Sequence, residues 1–156
     1  MSAQVAEPIV REAGAVDLPE LIRLRLALLS TFGPVDHPDA LAEATAGYLE
    51  RAMSDGSFLA VVAEVDGRLV ASSGLCVLRR LPLADNPGGL EGYILNMYTE
   101  PTWRRRGLAR DILRQLLALG KQRGLARVWL HATADGRALY EAEGFTGNPT
   151  ALERRL

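Results

Sequence analysis

The chain contains one cysteine, one lysine and two histidines, and no long apolar run. Each shortage removes a class of answer. A lone Cys76 can form no internal disulfide, which suits a reducing cytosol. His37 and His131 stand in separate segments, with no cysteine at ligand spacing, so no metal site is expected. No stretch nears the roughly 18 apolar residues of a membrane-spanning helix. The opening MSAQVAEPIV lacks the basic-then-apolar order of a secretory leader, and the triplet Asn148-Pro149-Thr150 carries the proline that forbids glycosylation. There is no G-x-x-x-x-G-K-[ST] loop and no G-x-G-x-x-G fingerprint. Ser72-Ser73-Gly74 lacks the G-x-S-x-G frame of a hydrolase nucleophile. These absences lead us to expect a cytoplasmic protein without membrane contact, one domain over residues 1–156.

What is present is ordinary in amount and uneven in placement. Hydrophobic residues make up 48% and the net charge is −1, values typical of a globular chain. Residues 101–127 nevertheless hold eight basic side chains against one acidic, Asp111, and the rest of the chain is acidic. An acidic remainder would repel a polyanion, so nucleic acid is not the expected partner. A small, highly charged ligand held at one place suits the asymmetry, although an exposed basic helix face would also satisfy the charge alone.

The segments alternate between strand and helix signals. PIVREA, residues 8–13, reads as a first strand, and Asp17 as the N-cap of a helix LPELIRLRLALLS. A second helix is predicted over residues 39–53. Residues 57–80 read as a hairpin turning at Asp66-Gly67. YILNMYT is a strand, and apolar positions recur at helical spacing from Gly107 until Gly124 ends the run. ARVWLHAT gives another strand, DGRALYEAEG a short helix capped by Asp135, and FTGNPTALERRL a final strand region. The order β-α-α-β-β-β-α-β-α-β predicts an α/β fold with helices on both faces of a mixed sheet.

The basic cluster sits where a strand hands over to a helix. A helix start presents unpaired backbone N–H groups and partial positive charge, which attract anions. Gly107 and the small Ala109 would let backbone approach a phosphate closely, and neighbouring arginines would add charge-assisted hydrogen bonds.

PTWRRRGLA resembles the acetyl-CoA signature of the GCN5-related N-acetyltransferase (GNAT) superfamily, through Pro101, Trp103, Arg104, Gly107 and Ala109. ALYEAEGF resembles the same family's later motif, through Tyr140 and Phe145. The likeness spans residues 92–146, and the element order extends it over the chain. It implies a GNAT-type α/β sandwich with a mixed, mostly antiparallel sheet. It further implies an N-acetyltransferase using acetyl-CoA as cosubstrate, without metal, by direct attack of a bound amine. On this resemblance the backbone of Arg105, Arg106, Gly107, Leu108, Ala109 and Arg110 would cradle the pyrophosphate, with Arg104 in the motif. A bulge would splay the preceding strand. Its main chain at Met97, Tyr98 and Thr99 would hold the pantetheine arm and direct one N–H at the thioester carbonyl. Tyr140 matches the general acid that protonates the departing thiolate. The family's asparagine upstream of that tyrosine is missing, with Thr133 or Asp135 in its region.

The general base stays open between Glu91, at the head of the bulged strand, and His131, on the strand ARVWLHAT, with a water relay as the third choice. Asn96 reads as a hydrogen-bonding strand residue, and Cys76 as core. Residues 31–40 and 81–92 are expected to wall the acceptor pocket. Asp36, Asp85, Glu91 and Asp135 would make its mouth acidic and draw in a cation. The expected acceptor is the primary amine of a small molecule or aminoacyl metabolite. The alternatives are a protein amine or a non-catalytic CoA-binding regulatory module, and family habit suggests a homodimer.

Overall fold

Strand β2 (Phe58–Val65) is apolar throughout its first six residues because both of its faces are covered. Leu59, Val61 and Ala63 enter one core while Phe58, Ala60 and Val62 enter the other, following the two-residue alternation of a strand. Around it lie β1 (Ile9–Glu12), β3 (Arg68–Arg79), β4 (Leu90–Thr99) and β5 (Arg127–Leu130), in the spatial order β1-β2-β3-β4-β5. The first three pairings are antiparallel and β4–β5 is parallel. The computed structural model describes residues 6–147 and 150–156.

Helices α1 (Leu18–Ser30) and α2 (Pro38–Asp55) cover one face through Leu21, Leu24, Leu49 and Ala52. Helices α3 (Leu108–Gln122) and α4 (Arg137–Ala142) cover the other. In α3 the buried residues Leu108, Ile112, Leu113 and Leu116 form one stripe at the predicted helical spacing. Removing one of these side chains, as in Leu113→Ala, would cost roughly 2–5 kcal/mol. The β2–β3 hairpin turns at Asp66 (φ 48°) and Gly67 (φ 80°), both left-handed, as a two-residue turn requires. Helices on both faces of a mixed, mostly antiparallel sheet match the expected α/β sandwich.

Several local expectations are corrected. Asp17 stands at the start of α1, but its carboxylate does not cap it. It accepts the Gly14 N–H at 2.8 Å and two hydrogen bonds from Arg11, also at 2.8 Å, and Arg11 continues to Glu64. Arg11 holds the Asp17 carboxyl below its ordinary range. Helix α4 starts after Gly136 rather than at Asp135, with the Gly136 N–H donated to Thr133 Oγ1 at 3.2 Å. Strand β5 ends at Leu130, so His131 lies just beyond it.

The final strand does not form among the described residues. The Phe145 N–H turns back to the Tyr140 carbonyl at 3.0 Å, and the Phe145 ring packs on the core. Residues 150–156 are exposed and carry Glu153, Arg154 and Arg155, so they bury no apolar face that would offset the entropy of ordering a strand. Among the described residues, no helix is long and apolar enough to cross a membrane.

Candidate active site

Strand β4 changes character halfway along. Its pairing with β5 runs from Glu91↔Arg127 to Ile94↔Leu130 and stops, leaving residues 95–99 with β3 alone as a strand neighbour. Its register with β3 also slips, since Gly74 faces Leu95 but Ser72 faces Tyr98. One extra residue is therefore accommodated in β4, and Asn96 takes it up with φ 62°. Asparagine tolerates this left-handed backbone better than most residues. The Asn96 amide oxygen accepts a hydrogen bond from Arg25 Nη1 at 3.2 Å. The result is the expected bulge, with main chain at Met97, Tyr98 and Thr99 turned away from the β5 ladder.

The chain then passes through a single 3-10 turn, Pro101–Trp103, into α3. Arg104 Nε donates to the Thr99 carbonyl at 3.0 Å, and its guanidinium lies 5.9 Å from the Tyr98 ring centroid. Arg105 (φ 62°) and Gly107 (φ 81°) are both left-handed. Alternation of this kind turns backbone N–H groups toward one concavity. No side chain caps α3, and a Cβ built on Gly107 would meet nothing within 4 Å. An uncapped helix start with open space beside Gly107 fits a phosphate group.

The arginine cluster divides by role. Arg114 makes paired hydrogen bonds to Glu143, and Arg110 approaches the same carboxylate at 3.5 Å, tying α3 to the end of α4. Arg127 is paired with Glu91. Arg105 and Arg106 have no carboxylate partner among the described residues, and Arg106 lies 4.6 Å from the Trp103 ring centroid. These two cations remain available beside the uncapped helix start.

Tyr140, on α4, is 9% exposed, with its ring edge-on to Phe145 at 5.8 Å. Burial pushes its phenol above the ordinary value, so it holds its proton at neutral pH. Its hydroxyl has no hydrogen-bond partner among the described residues. Tyr140 and Leu108 belong to one core cluster, against which Met97 and Trp103 pack. Tyr140, the start of α3 and the bulged strand thus pack on the same core, on one side of the sheet.

Of the two base candidates, His131 lines the same surface cleft as Tyr140, whereas Glu91 does not. Glu91 is 2% exposed, with Oε1 3.1 Å from Arg127 Nε and Oε2 3.2 Å from Arg80 Nη1. It precedes the bulge by five residues of strand, roughly 17 Å. His131 is exposed, edge-on to Trp129 and Tyr93 at 5.7 and 5.8 Å.

A cavity of about 310 Å³ opens on the other side of the bulge, between α1, α2 and the sheet. Leu21, Leu49, Phe58 and Leu95 make most of its wall, and Arg25, Tyr48 and Asn96 supply polar groups. Burial, and then a 3.4 Å contact with Cys76 Sγ, push the Tyr48 phenol up to about 12. The expected acidic mouth is not found there. Asp36, Asp85, Glu91 and Asp135 do not line this cavity, which is walled by helices and strands rather than by residues 31–40 and 81–92.

The family model for GNAT acetyltransferases matches residues 23–145. The chain belongs to the GNAT acetyltransferase family. This GNAT chain, an enzyme of the acyltransferase class, is similar to a predicted acetyltransferase from Clostridium acetobutylicum that was crystallised with acetyl-CoA. The two are 28% identical, covering 95% of this chain and 96% of that one, with a TM-score of 0.87. A GCN5-related N-acetyltransferase from Ralstonia eutropha is 29% identical over 96% and 98% of the two chains, at a TM-score of 0.84. The fold is shared at 18% identity with glucosamine-6-phosphate N-acetyltransferase from Arabidopsis thaliana, over 95% and 97% of the chains, at a TM-score of 0.75. Among curated proteins, none matches the chain in sequence.

The cavity escaped the motifs, but it left a signal. Arg25 stands four residues after Leu21 and one after Leu24, on the face that α1 buries. An arginine at an apolar position of an amphipathic helix is the mark that would have located the cavity.

Proposed function

We propose that this enzyme moves an acetyl group from acetyl-CoA to the primary amine of a small molecule by direct attack. One observation carries the reading. The uncapped, left-handed start of α3 follows directly from a strand that loses its partner at a bulge, and one core cluster joins both to a tyrosine whose hydroxyl is unbonded.

Bound acetyl-CoA supplies the acetyl group as an activated thioester. The N–H groups of Leu108, Ala109 and Arg110, with Gly107 leaving room, would hold its pyrophosphate, and Arg105 and Arg106 would add charge. The main chain at Met97, Tyr98 and Thr99 would hold the pantetheine arm and place an N–H at the carbonyl oxygen, where negative charge develops. Tyr140 would give its proton to the departing sulfur, and solvent would restore it. His131 is assigned the base role, through water, because its ring is free of ion pairs whereas both Glu91 oxygens are engaged by arginines. The cavity's size supports a small acceptor rather than a folded protein surface.

Thiol release from acetyl-CoA against a panel of primary amines tests the reading. Wild-type protein should release CoA only when an acceptor amine is present, and Tyr140→Phe should lose most of that turnover while keeping acetyl-CoA affinity. A CoA-binding regulatory module would bind acetyl-CoA and release no thiol with any amine, and that outcome would sink the proposal.

A further inference from the structure

Arg25 is half-buried on the wall of the 310 Å³ cavity, and it is the only charged side chain among the described residues that line it. Among the described residues it has no carboxylate partner. Its one polar contact is the neutral Asn96 amide oxygen, at 3.2 Å. Other partly buried arginines of this protein are treated differently. Arg11 engages both Asp17 and Glu64, and Arg23, two residues before Arg25 on the same helix, engages Glu20 and Glu100. The acid that acts on this corner of the cavity through Tyr48 is Asp55, and its carboxylate accepts the Ser57 N–H instead. A guanidinium withdrawn from water without an anion is costly to keep. Its remaining N–H donors are suited to grip a carboxylate with two parallel hydrogen bonds.

The rest of the cavity limits what carries that carboxylate. Leu21, Leu49, Phe58 and Leu95 ask for an apolar group of moderate size. A phosphate dianion would call for a second cation, which the wall lacks. Arg25 reaches Asn96 at the bulge, next to the Met97 main chain assigned to the thioester. The carboxylate is therefore held close to where the amine must attack. We infer that the acceptor is an apolar α-amino acid, its carboxylate on Arg25, its side chain in the cavity and its α-amine directed at the bulge.

This inference rests on the acetyltransferase reading. The amine nitrogen forms a bond to the acetyl carbon as the carbon–sulfur bond breaks. The products are the N-acetyl amino acid, the CoA thiol and one proton released to solvent from the ammonium form of the substrate.

The test compares L-leucine with L-leucinamide and 3-methylbutan-1-amine, which keep the side chain and the amine but lose the negative charge. For wild-type protein kcat/KM should favour leucine by about 10- to 100-fold, the worth of a charge-assisted pair. In Arg25→Gln that ratio should collapse toward one. A wild-type ratio near or below one, or a ratio that survives the substitution, overturns the inference. Leucine binding to the protein, followed by calorimetry, is read independently of turnover. Binding that leucinamide does not share supports the carboxylate site, and no leucine binding at all counts against it. Turnover of the carboxylate-free amines alone sinks this inference and leaves the acetyltransferase reading standing. Leucine binding without thiol release from any amine sinks the acetyltransferase reading and the acceptor role with it, and leaves only a carboxylate-binding site at Arg25.

Discussion

The start of α3 and the cavity under α1 and α2 are built from different materials. At α3 the working groups are backbone amides, exposed by two left-handed residues and the lack of a capping side chain. In the cavity they are side chains, and one of them, Arg25, carries all of the wall's charge. A backbone site depends on conformation and tolerates many neighbours. A side-chain site depends on identity at a few positions, and a single exchange can change what it accepts. On the proposed reading, one chain can therefore keep a fixed donor grip while its acceptor preference shifts.

Substitutions can sharpen or break that contrast. The largest effect is expected at Tyr140, the proposed acid. Tyr140→Phe should lower kcat by about 10²- to 10⁴-fold and leave the acetyl-CoA Kd within about twofold, as read by thiol release and calorimetry. An equal loss in affinity would mean that the tyrosine is packing rather than proton transfer.

Acid should next probe the ion pairs around α1, outside both sites. Arg11 lowers Asp17, Arg23 lowers Glu20, and Arg23 with Arg68 overcomes burial to lower Glu100. Each folded-state pKa lies below its unfolded value, so the stability these groups contribute is complete above the unfolded values of about 4. It is lost as pH falls through the folded values. Asp17→Asn should cost about 1–3 kcal/mol at pH 7, measured by urea unfolding, and the deficit should shrink near pH 3. A deficit that does not change with pH would remove the ion pair from the account.

At the donor side, Gly107→Val should weaken acetyl-CoA binding by about 5- to 30-fold, because a β-branched residue at φ 81° is strained. Arg105→Gln should weaken it only about two- to fivefold, and added salt should reduce that difference, as expected for an exposed cation. Reversal of this order would mean that charge, not backbone, holds the donor.

The same contrast explains what could be read from the sequence. Elements with strong local rules were legible. The pattern LPELIRLRLALLS coincides with the observed α1, Asp66-Gly67 marks the hairpin turn, and the stripe from Leu108 to Leu116 is the observed core face of α3. The proposed donor region is legible for the same reason, since a left-handed glycine after a strand and before a helix is a local event. The cavity is not local. It needs Arg25, Tyr48 and Asn96 brought together from α1, α2 and β4, and no spacing along the chain records that. The ion pairs of Glu91 are hidden in the same way, because Arg80 and Arg127 reach it from beyond the end of β3 and from β5. The final strand failed because a segment that could alternate has no apolar face to bury.

Amide hydrogen exchange of the protein with and without CoA tests the backbone cradle most directly. The account predicts new protection concentrated at residues 97–99 and 105–110, persisting in Arg105→Gln. Protection that avoids the start of α3, or that vanishes with the arginine, would contradict it.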